Sequence, residues 1–232
     1  DRRLLIAIDE YENIDRKIGE GVFPRDLLDT FRESIQRHRR IVWLFAGSTQ
    51  IAELHNAEWP SYFVSLRTIE IEPFTAAETR LLLTEPMQGS ELWARGDPAR
   101  PRFDPSFWGE RGIERIHAEA AGWPHLVQLL AEGVVELVNL RGLRAASLAL
   151  LDEAIAKAVV RGDAVLRQLV RNESRLPGEW EYLSAFRRLD AQPPPTDDAL
   201  YTSLRRRLMV VEEAGLWRMR VPLMQRWLRE RG

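Results

Sequence analysis

The sequence contains no cysteine. Disulfides and thiolate metal sites are therefore excluded, and nothing points to redox chemistry. The four histidines, His38, His55, His117 and His125, are scattered without ligand spacing, so a structural zinc site is not expected either. No apolar run approaches the roughly 18 residues that cross a bilayer, and the first residues lack the basic-then-apolar order of a signal peptide. A soluble, cytoplasmic protein with no membrane partner is expected. A bulk charge of one sign is missing too. The formal net charge of −2 argues against coating nucleic acid or membranes through overall charge, and permits only a local basic face. Lysine is nearly absent, at Lys17 and Lys157 alone among 33 cations.

What is present is ordinary globular material, 232 residues with 45% hydrophobic and 29% charged, enough for one large or two to three small domains. The stretch Arg2 to Ile14 organises the rest. Its run Leu4, Leu5, Ile6, Ala7, Ile8 is short, apolar and rich in β-branched residues, and it stops abruptly at Asp9 and Glu10. It reads as a strand buried on both faces with acids at its carboxyl end. Parallel α/β sheets bind ligands at that edge, and two adjacent carboxylates there suit a Mg²⁺-nucleotide site. Asp9 would hold the metal through water, and Glu10 could polarise an attacking water. A buried strand that merely enters a polar loop can also finish Asp-Glu, so the order of the following elements matters.

From Asp26 to Arg40, apolar Leu27, Leu28, Phe31 and Ile35 fall at helical spacing, with acids early and the cluster Arg37, His38, Arg39, Arg40 at the end. That cluster is read as a solvated helix end, with a phosphate patch as the alternative. Ile41 to Ala46 then forms a second buried strand closing in Gly47, Ser48, Thr49, Gln50. Strand, helix, strand implies a right-handed crossover and parallel neighbours, so Ser48 and Thr49 land on the edge that carries Asp9 and Glu10. They could also cap a helix starting near Ile51. Thr68 to Ile71 reads as a third strand, stopped by Pro73, and Thr75 to Glu78 as a capping box opening a helix that runs to Pro86. Gln88 to Pro105, with Gly89, Gly96, Pro98, Pro101 and Pro105, is a loop between lobes. Helical spacing resumes at Ile113 and Ile116 and, after Gly122-Trp123-Pro124-His125, continues through Leu126, Leu129, Leu130, Val134 and Leu137.

Four pieces, LLIAIDEYENI, IVWLFAGSTQ, TIEIEPFTAAET and AAGWPHLVQLLAEGV, resemble in order and spacing the AAA+-related P-loop ATPases. The likeness is to the STAND branch and to prokaryotic ATPases with an origin-recognition-like architecture, over most of residues 4–140. It implies Walker B at Asp9 (metal) and Glu10 (catalytic base), and a sensor turn at Ser48 and Thr49. It also implies a lid helix start at Pro124 beside the nucleotide, with His125 near the place of a sensor arginine. Arg67 resembles a basic residue found before the third strand, and a structural ion pair would explain it equally well. ATP and Mg²⁺ follow as the implied cofactors. The family's Gly-x-x-x-x-Gly-Lys-Ser/Thr loop occurs nowhere in the sequence. The expectation is a carboxyl-terminal part of a longer protein, with that loop upstream, and a degenerate relative that never had it is the alternative.

Beyond about Ala145 the amphipathic sets Leu148, Leu151, Ile155, Val159 and Trp180, Leu183, Phe186 are helical. Pro193, Pro194 and Pro195 break the chain. Thr196 to Asp198 cap a further helix with Leu200, Leu204 and Leu208, and Val210 to Val221 is a β-hairpin followed by a helix with Trp227. Helix, helix, hairpin is the order of a winged helix, which commonly follows the lid in this family. The fold expected is therefore α/β: a partial parallel-sheet P-loop ATPase core (1–87), an all-helical lid (88–144) and a winged-helix domain (145–232). Arg205, Arg206 and Arg207 are the candidate DNA contacts. From Asp197 onward, however, eight arginines face five acids, and Asp197 and Asp198 occupy the helix end that would enter the groove. A protein partner or an intramolecular role is favoured over DNA. Two functions stand: part of an ATP-driven switch, or a non-enzymatic DNA- or protein-binding module on a decayed ATPase scaffold.

Overall fold

The computed structural model describes residues 3–51, 54, 56–64, 66–94, 96–172 and 176–232, and for 171 and 172 the backbone only. Arg2, and residues 52, 53 and 55 of the helix expected near Ile51, lie outside the described residues. The chain divides into two compact units, Asp1–Glu70 and Ile71–Gly232.

In the first unit β1 (Leu4–Ile8) is followed by α1 (Glu12–Gly19), α2 (Leu27–Arg37), β2 (Ile41–Phe45) and the single turn α3 (Trp59–Tyr62). The strands pair in parallel, Leu4 opposite Ile41 and Ile8 opposite Phe45, as a strand–helix–strand crossover requires. Ile8, Trp43 and Phe45 pack against a cluster of Tyr11, Ile18, Leu28, Phe31, Trp59 and Phe63. Buried Asp15 ties α1 to the segment before α3, accepting from Trp59 Nε1 at 2.8 Å and Asn56 Nδ2 at 2.9 Å.

Two expectations need correction here. The strands are covered on one face only: Leu5 is 61%, Val42 48% and Leu44 48% exposed, because the helices of this unit pack against the opposite side. Thr68 to Ile71 is not a strand. A strand needs a hydrogen-bonded neighbour, the described sheet consists of β1 and β2 alone, and Ile69 and Ile71 stay 73% and 94% exposed.

The second unit holds α4 (Ala76–Thr84), a 3₁₀ turn (Pro105–Trp108), α5 (Gly112–Ala120), α6 (Pro124–Leu140), α7 (Leu148–Arg161), α8 (Asp163–Arg167), α9 (Glu179–Ser184), α10 (Asp198–Arg206), a hairpin of β3 (Val210–Glu213) and β4 (Leu216–Met219), and α11 (Pro222–Glu230). The capping box is in place: Thr75 Oγ1 accepts from Glu78 N–H at 3.2 Å while Thr75 N–H donates to the Glu78 carboxylate at 2.8 Å. Gly122 is left-handed, and a Cβ there would sit 2.1 Å from the Phe74 carbonyl, so only glycine fits before Trp123 and Pro124. Pro124 opens α6 at its first turn, where its missing N–H costs nothing. One apolar cluster takes members from Leu83 to Leu228, among them Leu137 and Val138 of α6 and Leu150 and Leu151 of α7.

Candidate functional site

The carboxyl edge of the two strands is built by hydrogen bonds that continue past the sheet. Ala46 N–H donates to Ile8 O at 2.8 Å, and Tyr11 N–H to Ala46 O at 3.1 Å. These bonds bring the Asp9–Glu10 and Ser48–Thr49 segments side by side. Asp9 and Glu10 are both exposed. Glu10 adopts a left-handed backbone (φ 51°), unusual for a side chain of this size, and its N–H is held by the Asp9 carboxylate at 3.0 Å. One Asp9 oxygen is thereby oriented by the backbone.

Glu12, on the first turn of α1, reaches across to the second strand's turn. One of its oxygens accepts from Ser48 N–H at 2.9 Å and from Ser48 Oγ at 2.6 Å. The Tyr11 phenol donates to the Thr49 carbonyl, and Thr49 itself is buried. Burial, and then the neighbouring Glu12 charge, raise the Tyr11 pKa, which keeps the phenol a donor at neutral pH. Gly47 lies beneath: a Cβ there would come within 2.1 Å of the Glu12 carboxylate and 2.8 Å of the Tyr11 ring. Sequence reading placed Asp9, Glu10, Ser48 and Thr49 on one edge but assigned nothing to Tyr11 or Glu12. The available signal was their position immediately after Asp-Glu.

Pro124 and His125 belong to the second unit. His125 stands at the start of α6, its ring edge-on to Trp123 with centroids 5.8 Å apart. Desolvation lowers its pKa, so the imidazole is neutral at pH 7 and is no electrostatic substitute for an arginine.

The arginines at the end of α10 are engaged within the chain. Arg207 is nearly buried, donating to the fully buried Glu179 at 3.1 Å and to Leu169 O at 2.8 Å. Arg205 donates to Tyr201 Oη at 2.9 Å and lies 3.9 Å from Glu212, and Arg206 also has a partner. On the hairpin Arg218 pairs with Glu213 at 2.7 Å, and on α11 Arg226 pairs with Glu119 and Arg229 with Asp190. Among the described residues no group of three or more His, Asp or Glu is arranged to cage a metal, and no helix is long and apolar enough to cross a membrane.

No family model and no curated protein matches the sequence. Among solved structures, the Walker-type ATPase PABY2304 of Pyrococcus abyssi aligns with 98% of this chain at a TM-score of 0.60 and 16% identity. The fold is similar to that of a Walker-type ATPase. This chain spans 63% of that protein's chain. The ORC2 protein of Aeropyrum pernix, solved in ADPNP–ADP complexes, also aligns with 98% of this chain, at a TM-score of 0.44 and 14% identity. The fold assignment rests on the Pyrococcus protein.

Proposed function

We propose that this chain is part of an AAA+/STAND-like switch ATPase, carrying the Walker B strand and sensor turn of the core (1–87), a helical lid (88–144) and a winged-helix domain (145–232). The observation that carries this reading is the convergence of Asp9, Glu10, Ser48 and Thr49 on the carboxyl edge of two parallel strands, in a fold similar to a Walker-type ATPase. Glu10 is the base that polarises water, and Asp9 the metal-side carboxylate. A single exposed carboxylate suits Mg²⁺, which keeps most of its waters and takes phosphate oxygens rather than an all-protein cage. The ion would neutralise charge on the phosphates. His125, neutral, brings no positive charge to the start of the lid helix.

The uncovered face of β1 and β2 is what helices of a completing part of the α/β core would cover, and this chain's 63% share of the Pyrococcus protein leaves room for it. The glycine–lysine loop that cradles phosphates would lie in that part. These 232 residues alone should then bind no ATP detectably. Micromolar ATP binding by calorimetry with this chain would mean that the site is misplaced.

For the winged-helix domain we propose a protein-facing or intramolecular role. The support is the pairing of its arginines: a DNA-reading face presents guanidinium groups to phosphates, whereas Arg205, Arg207, Arg218, Arg226 and Arg229 answer to groups of this chain.

A further inference from the structure

A serine at a sensor turn could meet the reacting groups in two ways. It could donate its proton to a phosphate oxygen, or it could accept a hydrogen bond from water. The hydroxyl has a single proton and two lone pairs, and an ionised carboxylate only accepts. Ser48 Oγ lies 2.6 Å from the Glu12 carboxylate, which also takes the Ser48 N–H at 2.9 Å. Both donors of this residue therefore converge on one oxygen, 36 positions away in the sequence. The turn cannot drift from that arrangement at small cost. Tyr11 Oη holds the next carbonyl, at Thr49, and Gly47 admits Glu12 and the Tyr11 ring into space that any Cβ would fill.

We infer that Glu12 is a positioning residue: it fixes the Ser48 side chain with its proton committed inward, so that Ser48 serves the edge as an acceptor. This rests on the ATPase reading above for its place in catalysis. An acceptor there orients a water molecule's O–H, and it has no proton to give a phosphate oxygen. The Glu12 carboxylate reinforces the choice, since a second anion beside the turn disfavours direct approach of phosphate. A phosphate-sensing serine would need the Glu12 contact to open first.

The first test uses this chain and no nucleotide. Amide exchange at Ser48, followed by NMR, should accelerate about tenfold or more in Glu12→Ala, through loss of the acceptor, and much less in Glu12→Gln, whose amide oxygen still accepts. Ser48→Ala should leave its own amide protected. Unchanged exchange in Glu12→Ala overturns the assignment. Should Glu12→Ala fail to fold, Glu12→Gln and Ser48→Ala still decide it: loss of protection in Ser48→Ala would place the hold in the hydroxyl rather than in Glu12.

The second test uses the intact protein during ATP turnover. Glu12→Ala and Ser48→Ala should each lower kcat, with the double variant no worse than the poorer single, while KM for ATP moves less than about twofold. A raised KM at constant kcat would mean a phosphate contact and overturn the acceptor role. If the unaltered intact protein neither binds nor hydrolyses ATP, the ATPase reading fails, and the exchange result alone judges Glu12.

Discussion

Glu119 on α5 holds Arg226 on α11 by two hydrogen bonds, 2.9 and 3.0 Å, across 107 residues of sequence. Glu119 is buried and also faces Arg115 at 3.4 Å, so the pair locks the last helix onto the body that carries α5. Arg226→Ala would leave a buried carboxylate with only Arg115. Breaking a fully buried pair costs about 3–5 kcal/mol, and the guanidinium here is 45% exposed, so about 2 kcal/mol is expected. Urea midpoints check this. In a Glu119→Ala background the same substitution should add little, and full additivity would mean that the two residues do not interact.

The two candidate roles of the C-terminal elements separate by mutation. Trp217 and Trp227 are 0% and 1% exposed, and Trp227 Nε1 donates to Asp163 at 2.8 Å. Either change to Ala should cost about 3–5 kcal/mol. Arg205→Ala with Arg206→Ala should leave any weak DNA binding and its salt dependence almost unchanged. A DNA reader would lose about 0.9 from its log–log salt slope per phosphate contact removed. Sub-micromolar, salt-steep binding that the double variant abolishes would establish the DNA role instead.

Two groups give stability a pH dependence of opposite sign. Burial pushes the Tyr182 phenol up to about 12, and it donates to Pro193 O at 2.7 Å. Its contribution is complete below the ordinary phenol value of 10.0 and is lost as pH rises from there through about 12. Tyr182→Phe should flatten that alkaline slope. The desolvated His125 behaves inversely: with its pKa lowered from 6.5, its contribution is present above that value and lost as pH falls below it. His125→Gln should reduce the acid-side loss, as read from denaturant midpoints between pH 5 and 7.5.

Gly47→Ala tests the packing of the turn that carries Ser48 and Thr49. The new methyl would meet the Glu12 carboxylate, which can swing aside, and the Tyr11 ring, which is wedged near Phe45 and Trp59. A loss of about 1–3 kcal/mol is expected, with faster amide exchange at Ser48 and Thr49. An unperturbed turn would mean that the strands' edge is looser than described.

Much of the edge was legible because its signals are local. Leu4 to Ile8 and Ile41 to Phe45 are short apolar runs that end in acids or in a small polar turn, and the crossover rule then sets their direction. The Thr75–Glu78 box and the hairpin at Glu213–Leu216 are local in the same sense. What escaped depends on distant partners. Glu12 looks like any acid in a first helical turn until Ser48 arrives beside it, and Asp15 and Glu179 give no sign that Trp59 and Ser203 will bury them. Ile69 and Ile71 alternate as a strand should, yet alternation cannot supply the neighbour a strand pairs with. Apolar runs likewise did not reveal that one face of β1 and β2 would stay open.

The most direct measurement is turnover by the intact protein carrying Glu10→Gln. The substitution keeps size and hydrogen bonding and removes the base proposed above, so Mg²⁺-ATP should still bind while hydrolysis falls about 10²-fold or more. Asp9→Asn should instead weaken the Mg²⁺-dependent part of binding. Hydrolysis at the unaltered rate in Glu10→Gln would contradict the assignment of the catalytic edge.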